Sequence, residues 1–459
     1  MSIVLHTINR LTFGAAPGEV RRVERIGTRG YIAEQLEPGK LTEPAEQQNI
    51  LRTYKALNWN PPALFLHFAK HKALPPEVKL DPGATEKPVE IRSQPAKAKL
   101  LRAVHSPAQL QEVMVDFWYN HFNVSNAKGP TGLWVGCYER DAIRPHALGK
   151  FRELLAATAH HPAMLIYLDN AGNTAPESLL GKKRKKGLNE NYARELLELH
   201  TLGVDGGYTQ GDVRELARIL TGWGLKSQGP GEGPSTFFFD PRRHDDHEKT
   251  LLGKTYPPAG QSEVLLALDR LAEHPSTARH VSFKLAQRFV ADRPPSSLIE
   301  KLSKRYKETD GDIRQMLALL FESSEFLDPR YRGRKFKTPF HYLVSCLRIL
   351  SLSLNNPGYW LGTLKRWGMP LYGCPTPNGY PNGEDDWLSP AAIMQRIEFA
   401  VRVAQLYRSR LGQPSNSGSA PILAELRPFL AQRTLTALES SPEAYRLSLL
   451  LASPEFLRY

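Results

Sequence analysis

The sequence predicts a mainly α-helical fold: a large multi-helix globular body with long loops and at most a minor β-hairpin. Apolar residues recur at helical spacing along most of the 459 residues, and several of these segments begin with a helix-capping residue. A hydrophobic fraction of 41% is sufficient for a large core. We therefore expect a single domain over residues 1–459.

Five stretches are expected along this domain. They are N-terminal helices over 1–69, a loop insertion over 70–97, a central helical core with the candidate site over 98–225, a loop or hairpin over 226–260, and a C-terminal helical part over 261–459. Proline and lysine dominate the insertion, which indicates little regular structure. Thr236–Phe239 is the run that could pair as a short β-strand. Further loops are expected at 171–188 and 226–253.

Helix starts and apolar spacing locate most of the helices. Ser106 and Pro107 predict a helix start, because serine caps helices and proline suits the first helical position. Thr209 and Asp212 have the spacing of a capping box. Further helices are predicted at 139–143, 150–159, 162–168, 189–202, 212–220, 262–272, 277–290, 298–306, 313–321, 339–352, 390–406 and 443–452.

Charge and cysteine content narrow the class of protein. The net charge of +13 favours an anionic partner such as nucleic acid, acidic polysaccharide or a lipid surface, although solubility alone explains it equally well. No apolar run approaches the roughly 18 residues of a membrane span, and the first residues do not form a signal-sequence pattern. We therefore expect a soluble protein; the chain by itself reads as cytoplasmic, and the compartment is left open. Cys137, Cys346 and Cys374 exclude a disulfide framework and have no zinc-like spacing.

The densest polar segment is the predicted helix at 189–202. On a helical projection, Asn191, Arg194, Glu195, Glu198 and Thr201 share one side, whereas His200 lies among apolar residues and should be buried. Three interpretations remain open: a metal or acid–base site, a substrate-binding surface, and a salt-bridged surface over a hydrogen-bonded core histidine.

Two other segments carry similar chemistry. The helix at 116–123 places Asp116, Asn120 and Asn123 on one side and His121 on its apolar side. The loop at 244–249 concentrates five oxygen or imidazole ligands beside Lys249, which suits a divalent cation or an exposed turn. Lys182–Lys186 is a basic run that could steer an anionic substrate or be a solvated loop.

Several long motifs occur in a fixed order along the chain. They are DFWYNHFN at 116–123, IRPHALGKFRELL at 143–155, HPAMLIYLDN at 161–170, NENYARELLELHTLG at 189–203, DVRELARILTGW at 212–223, FDPRRHDDHEKTLLG at 239–253, HPSTARHVSFKLAQRFVADRPP at 274–295 and KFKTPF at 335–340. Together they resemble the bacterial family called domain of unknown function 1800, over nearly the whole chain. In that family an acidic residue usually follows KFKTPF, whereas His341 follows here.

The resemblance implies a cellular location and a partner for the protein, but it does not imply a reaction. Many relatives look exported, and they are often encoded beside a sulfatase- or phosphatase-like protein, which implies such a protein as a partner. This chain starts almost at the domain itself, which puts export in doubt and leaves the compartment open.

We hypothesise a metal-assisted hydrolase or transferase that acts on an anionic envelope or polysaccharide-type substrate. The catalytic candidates are Glu195, Glu198 and His200. The candidate ligands of one divalent metal ion are His121, His200, His244 and Asp245, and the candidate substrate-binding residues are Asn189, Asn191, Arg194, Arg144, Lys185 and Lys249. The alternatives are a non-enzymatic scaffold for the sulfatase- or phosphatase-like protein and a polyanion-binding protein. Nucleic acid is disfavoured, since only 332–337 adds a second basic cluster.

Overall fold

Helices dominate the computed structural model, which describes residues 2–73, 87–226, 235–410 and 420–459. It is 65% helical, so the prediction of a mainly α fold is confirmed. The α-helices of the described residues are α1 (Ile3–Leu11), α2 (Glu19–Gln35), α3 (Ala45–Thr53), α4 (Pro61–Ala73), α5 (Pro88–His105), α6 (Gln109–His121), α7 (Thr131–Tyr138), α8 (Phe151–His160), α9 (Pro162–Tyr167), α10 (Leu179–Arg184), α11 (Asn191–Glu195), α12 (Gln210–Ile219), α13 (Gln261–Glu273), α14 (Pro275–Phe289), α15 (Ser296–Glu308), α16 (Ile313–Glu322), α17 (Ser324–Leu327), α18 (Pro339–Ile349), α19 (Pro357–Arg366), α20 (Glu384–Trp387), α21 (Pro390–Arg410), α22 (Ala420–Leu426), α23 (Gln432–Ser440) and α24 (Glu443–Leu451).

The capping box predicted for α12 is present, whereas α6 begins at Gln109, with Ala108 rather than Ser106 at its cap position. At α12, the hydroxyl of Thr209 accepts the backbone N–H of Asp212, and the Asp212 carboxylate accepts the backbone N–H of Thr209. This reciprocal pair satisfies two amides that the first helical turn leaves without partners. The capping box predicted there is confirmed.

Two small antiparallel hairpins are the β-structure of the described residues. Strand β1 (Trp223–Lys226) pairs with β2 (Thr236–Phe239), with Trp223 opposite Phe239. Strand β3 (Lys249–Leu251) pairs with β4 (Lys254–Tyr256). The predicted strand is confirmed, and the second hairpin is an addition to it. Residues 227–234, within the predicted loop, lie outside the described residues.

The prediction of an irregular insertion over 70–97 is wrong for the parts that the structure describes. Helix α4 continues to Ala73, and α5 begins at Pro88 and passes through Pro95. Pro88 occupies the first helical position, where its missing N–H costs nothing. Pro95 is buried within the helix, so packing outweighs the local preference against proline. Residues 74–86 of this stretch lie outside the described residues.

Two segments adopt π-helical geometry: π1 (Glu139–Ile143) and π2 (Leu196–Thr201). The predicted helix at 189–202 is therefore α11 followed by π2. The wider turn of a π-helix changes which side chains share a face. Thr201, expected on the polar side, is fully buried, and its hydroxyl donates to the Leu196 carbonyl at 2.6 Å. The burial of His200 is as predicted.

The hydrophobic core extends from Leu5 near the start of the chain to Leu457 near its end. Trp118 on α6 is fully buried within it, and its indole N–H donates to the Ala147 carbonyl. Satisfying that one polar atom allows the large ring to be buried without penalty. None of the described helices has both the length and the apolar character that a membrane-spanning segment needs.

Candidate functional site

A cavity of about 180 Å³ brings together side chains from the beginning, the middle and the end of the chain. Helices α6, π2 and α14 contribute to its walls, together with the start of α18 and a loop at 369–382. The lining residues are Phe13, Lys99, Asp116, Phe117, Tyr119, Asn120, His121, Asn123, Glu198, Leu199, Val204, His280, Lys284, Arg288, Thr338, His341, Met369, Leu371, Tyr372, Asn378, Tyr380, Pro381, Asn382 and Tyr459.

Helix α14 supplies a basic stripe, which consists of His280, Lys284 and Arg288. The four-residue spacing places these side chains on one face of the helix. The opposite side is anchored in the core through residues such as Val281 and Leu285, which are fully buried. Anchoring one face in this way fixes the direction in which the basic stripe faces.

The two cations of the stripe differ in their partners. Arg288 donates to the phenolic oxygen of Tyr459 at 2.6 Å. Lys284 is partly buried and has neither a hydrogen bond nor an ion pair within the described residues. Burial alone lowers the pKa of its amine. A partly desolvated amine without a partner is an energetic cost that a bound anion would remove.

Three histidines on the cavity wall are neutral at pH 7. Burial, and then Lys284, lowers the pKa of His280 to about 4. Burial, His280 and His200 hold the pKa of His121 well below its usual value. For His341, burial and the nearby Arg288 have the same effect. Its Nε2 atom and that of His280 are both buried without a hydrogen-bond partner. Neutral imidazoles add hydrogen-bonding capacity to the cavity without adding charge.

Helix α6 holds the loop at 369–382 against the cavity. The Asn120 side chain donates to the Tyr380 carbonyl at 2.8 Å and accepts the Tyr380 backbone N–H at 2.7 Å. Asn123 donates to the carbonyl groups of Cys374 and Thr376. The polar side predicted for this helix therefore positions a loop of the wall.

The two predicted catalytic carboxylates lie one turn apart in different settings. Glu198 lines the cavity and accepts a hydrogen bond from the Tyr208 hydroxyl at 3.1 Å. Glu195 is not part of the lining. Burial, and secondarily Glu198, raises the pKa of Glu195. The two carboxylates therefore differ in their position, since only that of Glu198 lies on the cavity wall.

His200 lies behind the cavity wall rather than on it. Its ring is 6.3 Å from that of His121, centroid to centroid, and its buried Nε2 atom has no hydrogen-bond partner. Burial lowers its pKa to about 3. The structure therefore brings His121 and His200 together, as predicted.

The predicted polar residues at the start of this segment contact one another rather than the cavity. Asn189 accepts the backbone N–H of Asn191, whose side chain donates to the Leu168 carbonyl. Arg194 donates to Gln210 at 2.9 Å and to Glu190 at 3.5 Å. Their expected role in substrate binding has no support in this placement.

His244 and Asp245, predicted as metal ligands, and Lys249, predicted to bind substrate, form a separate buried network. His244 bonds the Thr221 carbonyl and the Glu263 carboxylate, which also pairs with Lys249 at 2.6 Å. The Asp245 carboxylate accepts two hydrogen bonds from Arg218. Their expected placement beside His121 is wrong, because each of these groups already has a partner in the hairpin region.

Arg144 and Lys185 are also placed away from the cavity. Arg144 makes a two-pronged ion pair with Glu112, at 2.6 and 2.9 Å, and a contact with Glu139. Lys185 is exposed and ends α10 in a left-handed conformation. These positions suit a buried ion-pair network and a surface turn, respectively.

The four predicted metal ligands do not form a metal-binding group. Within the ranges that the structure describes, the ligand atoms of His121, His200, His244 and Asp245 are not grouped within reach of a single ion. His121 uses its Nε2 atom for the His200 carbonyl, and His244 uses both ring nitrogens. Hydrogen bonds thus occupy three of the ring nitrogens that were candidates for metal coordination.

The family of the chain follows from comparison with known proteins. A family described as a protein of unknown function (DUF1800) matches residues 6–458. The chain belongs to this family. No curated protein and no solved structure matches the chain.

Sequence reasoning missed the basic stripe of α14, although the motif HPSTARHVSFKLAQRFVADRPP contains it. The available signal was the spacing of His280, Lys284 and Arg288, which repeats every four residues along a helix. Spacing alone also fits a solvated face, since exposed charges on helices are routine. Only the fold shows that this face lines a cavity.

Proposed function

We propose that the central cavity binds an anionic group of an envelope or polysaccharide-type substrate, on which the protein acts as a hydrolase or transferase. The observation that carries the proposal is Lys284, a partly buried amine on the cavity wall that has no acidic partner. Arg288 adds a second cation one turn further along α14. A desolvated cation of this kind is stabilised most strongly by an anion.

The balance of charge on the wall supports an anionic ligand. Lys99 and Asp116 neutralise each other at 2.9 Å, and Lys99 also pairs with Glu139. Two cations on α14 then face one carboxylate, that of Glu198. The net positive charge favours a phosphate, sulfate or carboxylate group.

The size and the lining of the cavity indicate a small ligand group. A volume of about 180 Å³ lies below the roughly 300–1,000 Å³ of pockets for drug-sized ligands. The rings of Phe117, Tyr119, Tyr372 and Tyr380 line it beside the polar groups. Flat apolar rings next to cations and hydrogen-bonding side chains suit a single acidic sugar unit.

Calorimetric titration with sulfate, phosphate and an acidic oligosaccharide tests the binding step. We expect Lys284→Met to weaken binding about 10–100-fold, the typical value of a charge-assisted hydrogen bond. Arg279→Met is the matched control, because Arg279 is exposed on the same helix and does not line the cavity. Equal affinity in both variants would contradict the proposal.

The catalytic step is tested at Glu198. Because it lines the cavity beside the two cations, we assign it the role of general acid or base. We expect Glu198→Gln to keep the affinity for sulfate and to abolish turnover of an acidic oligosaccharide or a sulfate or phosphate ester. If the wild-type chain binds these compounds without turning them over, the binding proposal stands and the enzymatic proposal is contradicted.

A second candidate function, that of a scaffold for another protein, is favoured by an apolar stripe on α21. Met394, Ile397 and Val401 share one helix face and are 55%, 38% and 37% exposed. Exposed apolar stripes of this kind often mark protein contacts. A Met394→Glu variant that no longer binds a sulfatase- or phosphatase-like protein, the partner that the family resemblance implies, would support the scaffold.

A further inference from the structure

A cysteine, an aspartate and a histidine that do not line the cavity meet at one point. Cys137 is on α7, Asp141 on π1, and His161 caps the start of α9. The thiol sulfur, a carboxylate oxygen and a ring nitrogen all lie within 4.8 Å of one another. No other group of three such ligands occurs among the described side chains of residues 2–68, 87–226, 235–410 and 420–459.

We propose that Cys137, Asp141 and His161 bind one Zn²⁺ ion. Zinc prefers a tetrahedral set of thiolate, imidazole and carboxylate ligands, and this cluster offers one of each. Mg²⁺ and Ca²⁺ prefer oxygen ligands throughout and fit it poorly. The inference does not depend on the function proposed for the cavity.

The histidine supplies an independent observation. His161 is only 7% exposed, and its Nε2 atom is buried without a hydrogen-bond partner. Its Nδ1 atom accepts the backbone N–H of Ala163 at 3.1 Å, so the proton of the neutral ring resides on Nε2. Coordination through Nε2 moves that proton to Nδ1 and releases the helix cap. The ion thereby gives the orphaned Nε2 atom a partner, while the backbone N–H of Ala163 and the new Nδ1–H are left without one.

The charges of the cluster balance those of the ion. Cys137 is fully buried, and its thiol donates to the Trp134 carbonyl at 3.1 Å. When the ion binds, a sulfur–zinc bond replaces the sulfur–hydrogen bond, and the proton passes to solvent. Thiolate and carboxylate then set two negative charges against the two positive charges of Zn²⁺, while Asp141 also stays paired with Arg140.

Asp141 is held in place by Arg140, and its exposed side gives an ion access to the cluster. Its two carboxylate oxygens accept hydrogen bonds from Arg140 at 2.5 and 2.6 Å, and Arg140 also donates to the Leu57 and Trp59 carbonyls. Each carboxylate oxygen has a further lone pair for an ion. The Asp141 side chain is 42% exposed, so an ion can enter from this side. Three protein ligands leave a fourth position for water, as in catalytic zinc sites.

Cobalt and zinc titrations of the full-length, untagged and chelator-treated protein test the site. We expect one Zn²⁺ per chain by elemental analysis after gel filtration, and a thiolate-to-cobalt charge-transfer band with Co²⁺. Cys137→Ser should remove the band, whereas Cys374→Ser, which changes another buried cysteine, should keep it. A band that persists in Cys137→Ser would overturn the proposal, as would a folded wild type that binds no ion.

Asp141→Asn keeps the test decisive if the cysteine variant fails to fold. Because Asp141 is exposed, circular dichroism of this variant should match that of the wild type. We expect it to bind Zn²⁺ at least about tenfold more weakly, since the ligand loses its charge. Unchanged affinity would remove Asp141 from the site and contradict the three-ligand assignment.

Discussion

The Nε2 atom of His121 lies 3.1 Å from the carbonyl oxygen of His200, and this hydrogen bond joins α6 to π2 beside the cavity. A carbonyl oxygen can only accept, so the Nε2 atom of His121 carries the ring proton and Nδ1 has a lone pair. The bond therefore fixes the tautomer of a histidine that lines the cavity.

Replacing His121 should reveal the strength of this bond. We expect His121→Phe to lower the free energy of unfolding by about 1–3 kcal/mol, because a buried carbonyl loses its donor. His121→Gln should recover part of the loss, because its side-chain amide can donate to the same oxygen. Urea denaturation of the three proteins measures the difference, and an equal loss in both variants would contradict a role for the hydrogen bond.

Lys284 should lower the stability of the anion-free protein and raise its affinity for anions. We expect Lys284→Met to raise the melting temperature in anion-free buffer, because methionine removes a partly buried amine without a partner. Sulfate should stabilise the wild type and leave the variant unchanged, since a ligand stabilises only the state that binds it. Thermal unfolding with and without sulfate gives both results. A variant that is less stable than Arg279→Met would show that the amine has a structural role.

Glu139 should make stability depend on pH in the acid range. Burial acts to raise the pKa of Glu139, but Lys99 and Arg144 outweigh it and lower the pKa to about 2. Because the ordinary value is 4.5, the stabilising contribution is complete above pH 4.5 and is lost as the pH falls towards 2. We expect Glu139→Gln to cost about 3–5 kcal/mol at pH 7, because it leaves buried cations without their partner.

Urea unfolding of Glu139→Gln and wild type between pH 7 and pH 3 measures this dependence. The difference between the two proteins should shrink as the pH falls below 4.5. Glu177→Gln provides the control, since the Glu177 side chain is 70% exposed and should give no pH-dependent difference. A constant difference at every pH would contradict the assignment.

Replacing Gly379 with alanine should disturb the contact between the loop at 369–382 and α6. Its φ angle is +72°, and an added Cβ would lie 2.2 Å from the Asn120 carbonyl oxygen. We expect Gly379→Ala to push the loop at 369–382 away from α6 and to lower both stability and sulfate affinity. Gly368→Ala separates the two causes, because Gly368 has a φ of +77° and no atom within 4 Å of its added Cβ. Calorimetry and urea unfolding should show the larger loss at Gly379.

The sequence predicted features that depend on neighbouring residues along the chain. The capping box at Thr209, the strand at Thr236–Phe239 and the burial of His200 all follow from local spacing. The structure confirms each of them, because caps and amphipathic faces arise from interactions within a few residues.

Features that depend on distant residues escaped sequence reasoning. The carboxylate that pairs with Lys249 belongs to Glu263, and His161 meets Cys137 across helices rather than through a recognisable spacing. The segment at 88–97 looked irregular because its proline content is high, but α5 is held by its packing. Thr201 was placed on the wrong face because regular α-helical geometry was assumed for a π-helical turn.

The cavity is lined by residues as far apart in the chain as Phe13 and Tyr459, so it cannot form until most of the chain has been synthesised. Ribosomes release the chain from its N-terminus, so α1 and α6 can fold long before residues 369–382 emerge. The wall formed by Tyr459 and the loop at 369–382 must then close on a partly assembled body. Contacts between such distant residues form slowly, because a long loop has to be ordered first. Closure of the cavity should therefore be a late step in the folding of the chain.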